Sequence, residues 1–112
     1  MGSKVYMQPL NFVFATVHDI KELQKGKGTF NDVPNGKMNF VVNMYLREWE
    51  YQFTLKDIGK NRCEVNIEIG GDIPDKEKQT LRMFALLDSM LVVNTKIELS
   101  EQKRAEQQNY AK

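Results

Sequence analysis

The residues with chemistry to offer are few and scattered. His18 is the single histidine and the one side chain type that ordinarily titrates near neutrality. Beside Asp19 it suggests an acid–base pair, but adjacent helical positions point about 100° apart, so the two side chains diverge. An exposed, structural histidine is expected. Cys63, the single cysteine, falls on the apolar side of an alternating segment. With no histidine near it in sequence and no helix N-terminus to lower its pKa, it reads as a small buried hydrophobe. It can form no internal disulfide, and one cysteine with one histidine leaves a zinc site short of ligands. Gly26-Lys27-Gly28 is followed by no phosphate-loop pattern. Glu64 and Glu68 lie two pleats apart on the polar side of a strand, too far to share a site. No catalytic residue, metal site or cofactor is therefore assigned. An enzyme built on this chain would have to use Tyr45, Tyr51 or His18 inside a pocket.

The elements that position these residues are read from hydrophobic spacing. Lys4 to Gln8 is β-prone and ends at Pro9. Leu10, Val13, Phe14, Val17 and Ile20 then recur at helical intervals, which predicts a helix from Leu10 to Leu23, stopping at Gly26 and Gly28. The β-branched Val13, Thr16 and Val17 would also suit a strand there. Thr29 to Val33 leads into Pro34-Asn35-Gly36, a hairpin signal, and Lys37 opens the returning strand. Met38, Phe40, Val42, Met44 and Leu46 alternate with Asn39, Val41, Asn43 and Tyr45. Trp49, Tyr51, Phe53 and Leu55 alternate with polar partners up to Lys56. After a turn over Asp57 to Asn61, Cys63, Val65, Ile67 and Ile69 return against Glu64, Asn66 and Glu68. Gly70-Gly71 ends that strand.

From Asp72 to about Gln107 the spacing predicts one long helix. Asp72 is a suitable cap, Pro74 suits the first turn, and Asp75 and Glu77 suit the positive end of the dipole. Leu81, Phe84, Leu87, Met90, Leu91 and Ile97 make one stripe, which Met83, Leu86, Val92 and Val93 widen, so Leu81 to Val93 is expected deep against another layer. The polar stretch 100–112 reads as a frayed, solvated tail.

These elements predict an α+β fold: an antiparallel curved sheet packed around a long C-terminal helix, with a short helix after the first strand. The length of 112 residues, with 41% hydrophobic and 28% charged residues, fits a single domain over 1–112 with one core. A formal charge of +1 with scattered lysines and arginines argues against nucleic acid as a partner. No apolar run is long enough to insert across a membrane and the start lacks a signal-peptide pattern, so cytoplasmic residence is expected.

The run Gln8-Pro9-Leu10-Asn11-Phe12-Val13-Phe14-Ala15-Thr16-Val17-His18-Asp19-Ile20 resembles the opening of the START-like, helix-grip superfamily, in particular its polyketide cyclase/dehydrase-like members. In that opening a strand ends at a proline and a helix carries a Val-Phe pair and a terminal aspartate, here Pro9, Val13, Phe14 and Asp19. The apolar helix over Leu81 to Leu99 matches by position. Members usually carry six strands after the first helices, and about four are predicted here, so the resemblance implies a shortened sheet.

The resemblance implies a pocket between sheet and long helix for a small apolar ligand such as a lipid, sterol or polyketide. By position its lining is Phe40, Val42, Trp49, Tyr51, Phe53, Val65, Ile67, Met83, Leu87 and Met90. The same side chains are also what a domain of this size needs for its core. A ligand-binding domain, a protein-interaction module or homodimer, and a cyclase-like enzyme are the functions these readings leave open.

Overall fold

Pro9 sets the start of the first helix. Its extended backbone (φ −65°, ψ 151°) closes the preceding strand, and its carbonyl accepts from the amides of Phe12 and Val13. The computed structural model describes residues 2–44, 46–71 and 74–110, with side chains described for 2–43, 46–71 and 74–99. Strand β1 (Gly2–Tyr6) precedes helix α1 (Leu10–Leu23), as the apolar spacing predicts. The helix stops before the glycines. Lys25 takes the left-handed conformation at φ 54°, and Gly26 and Lys25 donate to the carbonyls of Lys21 and Glu22. This nested pair of bonds satisfies the last turn, a task usually left to glycine.

Four further strands follow: β2 (Lys27–Asp32), β3 (Lys37–Met44), β4 (Arg47–Gly59) and β5 (Arg62–Gly70). The Asn-Gly hairpin forms, with a 3-10 turn over Val33–Asn35 and Gly36 left-handed at φ 66°. A Cβ on Gly36 would collide with the Leu55 carbonyl oxygen, whose own amide donates to Gly36 at 2.7 Å. Only glycine fits that approach. Lys60 and Asn61, both at positive φ, make the two-residue loop between β4 and β5.

All pairings are antiparallel, and the order across the sheet is β1-β5-β4-β3-β2. The sheet is curved and unclosed, with β1 and β2 as its edges. Register places Tyr6 beside Cys63, Val65 beside Leu55, Ile67 beside Phe53, Tyr51 beside Phe40 and Trp49 beside Val42. Every apolar row therefore faces the same way, because paired residues share a face.

Helix α2 (Lys76–Tyr110) crosses that face with α1. It begins four residues later than the sequence suggests. Asp75, at φ 57°, is left-handed and cannot belong to a right-handed helix. The expected cap Asp72 lies outside the described residues, as do the side chains of the 100–112 tail. The buried face of α2 is also narrower than expected. Thr80, Met83, Phe84, Leu87 and Leu91 are buried, but Leu81 is 66% exposed, Val92 55%, Val93 50% and Ile97 52%. An open sheet and one short helix cover one side of α2 and leave its flanks in water. An antiparallel five-strand sheet with a long C-terminal helix is compatible with the helix-grip layout.

Candidate functional site

The ten side chains expected to line a pocket are gathered on the helix-facing side of the sheet and the sheet-facing side of α2. Nine of them, from Phe40 and Val42 on β3 to Met83 and Leu87 on α2, are buried members of one hydrophobic cluster, and Met90 packs half-buried against it. Phe40 stacks on Phe53 with ring centroids 5.6 Å apart and planes 15° apart, and meets Tyr51 at 5.6 Å and 41°. Burial pushes the Tyr51 phenol above its ordinary range. Trp49 also borders a cleft of about 370 Å³ with Arg47, Pro74, Asp75 and Gln79, where β4 passes the start of α2.

Further space lies between β1 and α2. Gly2, Lys4 and Tyr6 occupy the β1 positions that face the helix, since they pair with Ile67, Val65 and Cys63. Gly2 permits a close approach, for a Cβ there would stand 3.0 Å from Phe84 and 3.1 Å from Thr80. The result is a groove between β1 and α2 in two parts that share Lys4 and Asp88. One part, about 380 Å³, is walled by Leu81, Phe84 and Ala85. The other, about 550 Å³, is walled by Val5, Met7, Leu91 and Val92.

At the waist of the groove both carboxylate oxygens of Asp88 are engaged. Tyr6 donates its hydroxyl hydrogen to Oδ1 at 2.7 Å, and the Lys4 ammonium donates to Oδ2 at 2.6 Å. Lys4 Nζ also stands 5.4 Å from the centre of the Tyr6 ring. Burial, then the hydrogen bond and charge of Asp88, hold the Tyr6 phenol far above its ordinary range. Lys4 and Asp88 remain nearly half exposed, so their pairing adds little net stability and leaves polar groups within a ligand's reach. None of these three was singled out in the sequence. The available signal was Asp88, an acidic residue spaced with Leu81, Phe84 and Leu91 inside the apolar half of the helix.

The other chemical candidates stay apart. His18 Nε2 is 3.7 Å from Glu22, whereas Asp19 accepts from Asn94 at 3.0 Å, so the neighbouring pair diverges as helix geometry requires. His18, Asp19, Asn11 and Asn31 border a separate cleft of about 390 Å³ between α1 and the β2 arm. Cys63 is fully buried, and burial raises its thiol pKa, the opposite of an activated nucleophile. Tyr45 lies outside the described residues. Among the described residues no group of three or more His, Cys, Asp or Glu is placed to hold a metal ion, and no helix is long and apolar enough to cross a membrane.

Compared with known protein families and with curated proteins, the chain gives no match. The functional reading rests on the groove.

Proposed function

We propose that this protein binds a small apolar molecule between its sheet and its C-terminal helix, with the groove between β1 and α2 as the point of entry or the site itself. The observation that carries this reading is the pair of adjoining clefts of about 380 and 550 Å³ along α2, each of a size that suits small ligands. Their floor belongs to the core: Tyr6, Phe84 and Leu91 line the groove and are members of the buried cluster. A ligand seated there lies against the outer wall of the layer that contains Met83 and Leu87. The START-like resemblance of Pro9, Val13, Phe14 and Asp19 supports the same assignment, with Phe40, Val42, Trp49, Tyr51, Phe53, Val65, Ile67 and Met90 reached if the helix lifts from the sheet.

Native mass spectrometry of the purified protein, followed by thermal shifts with a panel of lipids, sterols and polyketides, tests the proposal. A bound apolar molecule, displaced in Leu81→Glu and Val92→Glu, is the expected result. Both residues are exposed, so neither change should unfold the domain. A ligand-free protein unmoved by every member of the panel overturns the reading.

A second reading, self-association, is favoured by a different observation. Val93, Ile97 and Leu99 are each at least half exposed on α2, and β1 is an edge strand with one side unpaired by the sheet. Sedimentation at several concentrations separates the two, because a monomer at all of them removes the homodimer.

A further inference from the structure

The two halves of the groove differ in charge, and the difference selects a ligand. The smaller half is bordered by Glu77, Asp88 and Lys4, one positive group against two negative. The larger half is bordered by Lys4, Lys96 and Asp88, two positive against one negative. The charge of Asp88 is already balanced there by Lys4, and each of its oxygens accepts one hydrogen bond, from Tyr6 and from Lys4. An ammonium has three donors, and one hydrogen bond to Asp88 leaves Lys4 with two to offer. Lys96, which lines the same half, is exposed. The charged lining of the larger half is thus net positive, between walls made of Val5, Met7, Leu91 and Val92.

We propose that the larger half of the β1–α2 groove takes an apolar molecule carrying a single carboxylate, its head held by Lys4 and Lys96 and its hydrocarbon laid along Val5, Met7 and Val92. The assignment rests on the groove reading above and adds the chemical class of its occupant. An amine-headed ligand meets two lysines and one carboxylate whose charge Lys4 already balances. A neutral ligand gains the apolar contact and forgoes the charge-assisted hydrogen bonds, which are roughly twice as strong as neutral ones.

The test compares dodecanoate, methyl dodecanoate and dodecylamine, each below its micelle concentration, by calorimetric titration against the wild-type chain and Lys96→Gln. Lys96 is surface-exposed, so the variant should fold. Dodecanoate is expected to bind at least tenfold more tightly than the methyl ester, with Lys96→Gln and high salt each narrowing that gap severalfold. Equal affinity for acid and ester, or a preference for the amine, overturns the carboxylate assignment while leaving a groove for apolar ligands. Failure of all three to bind overturns the assignment and counts against the groove as well.

Discussion

The phenol of Tyr6 and the carboxylate of Asp88 meet at 2.7 Å although 82 positions separate them in the chain. Together with the Lys4 ammonium on the other oxygen of Asp88, that bond ties the edge strand β1 to the long helix α2. It also sets how the protein should respond to alkali. Tyr6 is held far above the ordinary tyrosine range, chiefly by burial and then by Asp88; Tyr51 is raised by burial, and Cys63 by burial and then Asp57. All three favour the protonated form in the folded state. Below about pH 7.5 both folded and unfolded chains keep these protons, since an unfolded cysteine titrates at about 8.5 and a tyrosine at about 10, and the contribution to stability is full. Above it, the unfolded chain releases protons that the folded chain retains, so stability must fall as pH rises, by about 1.4 kcal/mol per pH unit for each group that has titrated in the unfolded state alone. Urea unfolding at intervals from pH 7 to 11 should show that decline, shallower in Tyr6→Phe. A flat profile would mean that these groups titrate freely in the folded protein.

The two helices are joined by an amide. Asn94 donates to the Thr16 hydroxyl and to Asp19, both at 3.0 Å, and Thr16 in turn donates to the Phe12 carbonyl at 3.1 Å. Thr16 is fully buried, so removing its partner leaves a buried polar oxygen short of a donor. Asn94→Ala should cost about 1–3 kcal/mol. Thr16→Val should be nearly isosteric, and the double change should cost less than the two summed, because each single change removes the same Asn94–Thr16 hydrogen bond. Additive costs in that cycle would show the two side chains to be energetically independent.

Local pattern made most of the fold legible. Alternation from Met38 to Ile69 specifies strands with one apolar face, and Leu10 to Leu23 specifies a helix once Pro9 has fixed its start. What stayed hidden depends on distant partners or on unusual backbone. That β1 lies beside β5 follows from pairing Lys4 with Val65, which no local spacing reveals. Lys25 and Asp75 adopt positive φ without being glycine, so the residue that ends α1 and the one that precedes α2 do not carry the usual signal. The Lys4, Tyr6 and Asp88 cluster was invisible for the first reason. The exposure of Leu81, Val92 and Val93 was missed because a wide apolar arc states what a helix could bury, while the number of neighbouring layers decides how much of it is buried.

Met83, Leu87 and Met90 should differ sharply when truncated. Leu87 is fully buried and Met83 nearly so, and replacing such a side chain with alanine costs about 2–5 kcal/mol through lost transfer energy and the cavity left behind. Met90 is half-buried and should cost about half as much or less. Chemical denaturation of the three alanine variants measures this directly. A small loss at Leu87 would show that the layer between sheet and helix yields readily, as a pliable ligand site does and a close-packed core does not.

The loop between β4 and β5 offers the clearest gain in stability. Lys60 and Asn61, at φ 56° and 57°, are flanked by the Gly59–Arg62 pair, the geometry of a two-residue hairpin turn that needs positive φ at both positions. Asparagine tolerates that region and lysine does so poorly, while glycine enters it without steric cost. Replacing Lys60-Asn61 with Asn-Gly should therefore stabilise the protein by about 1 kcal/mol, less the extra chain entropy that glycine brings to the unfolded state. Neither side chain is buried, so no packing is lost to offset the gain. The change should appear as a higher denaturation midpoint with an unaltered slope, since the surface exposed on unfolding is the same. A lower midpoint would mean that the lysine and asparagine make contacts across the turn that outweigh their backbone strain.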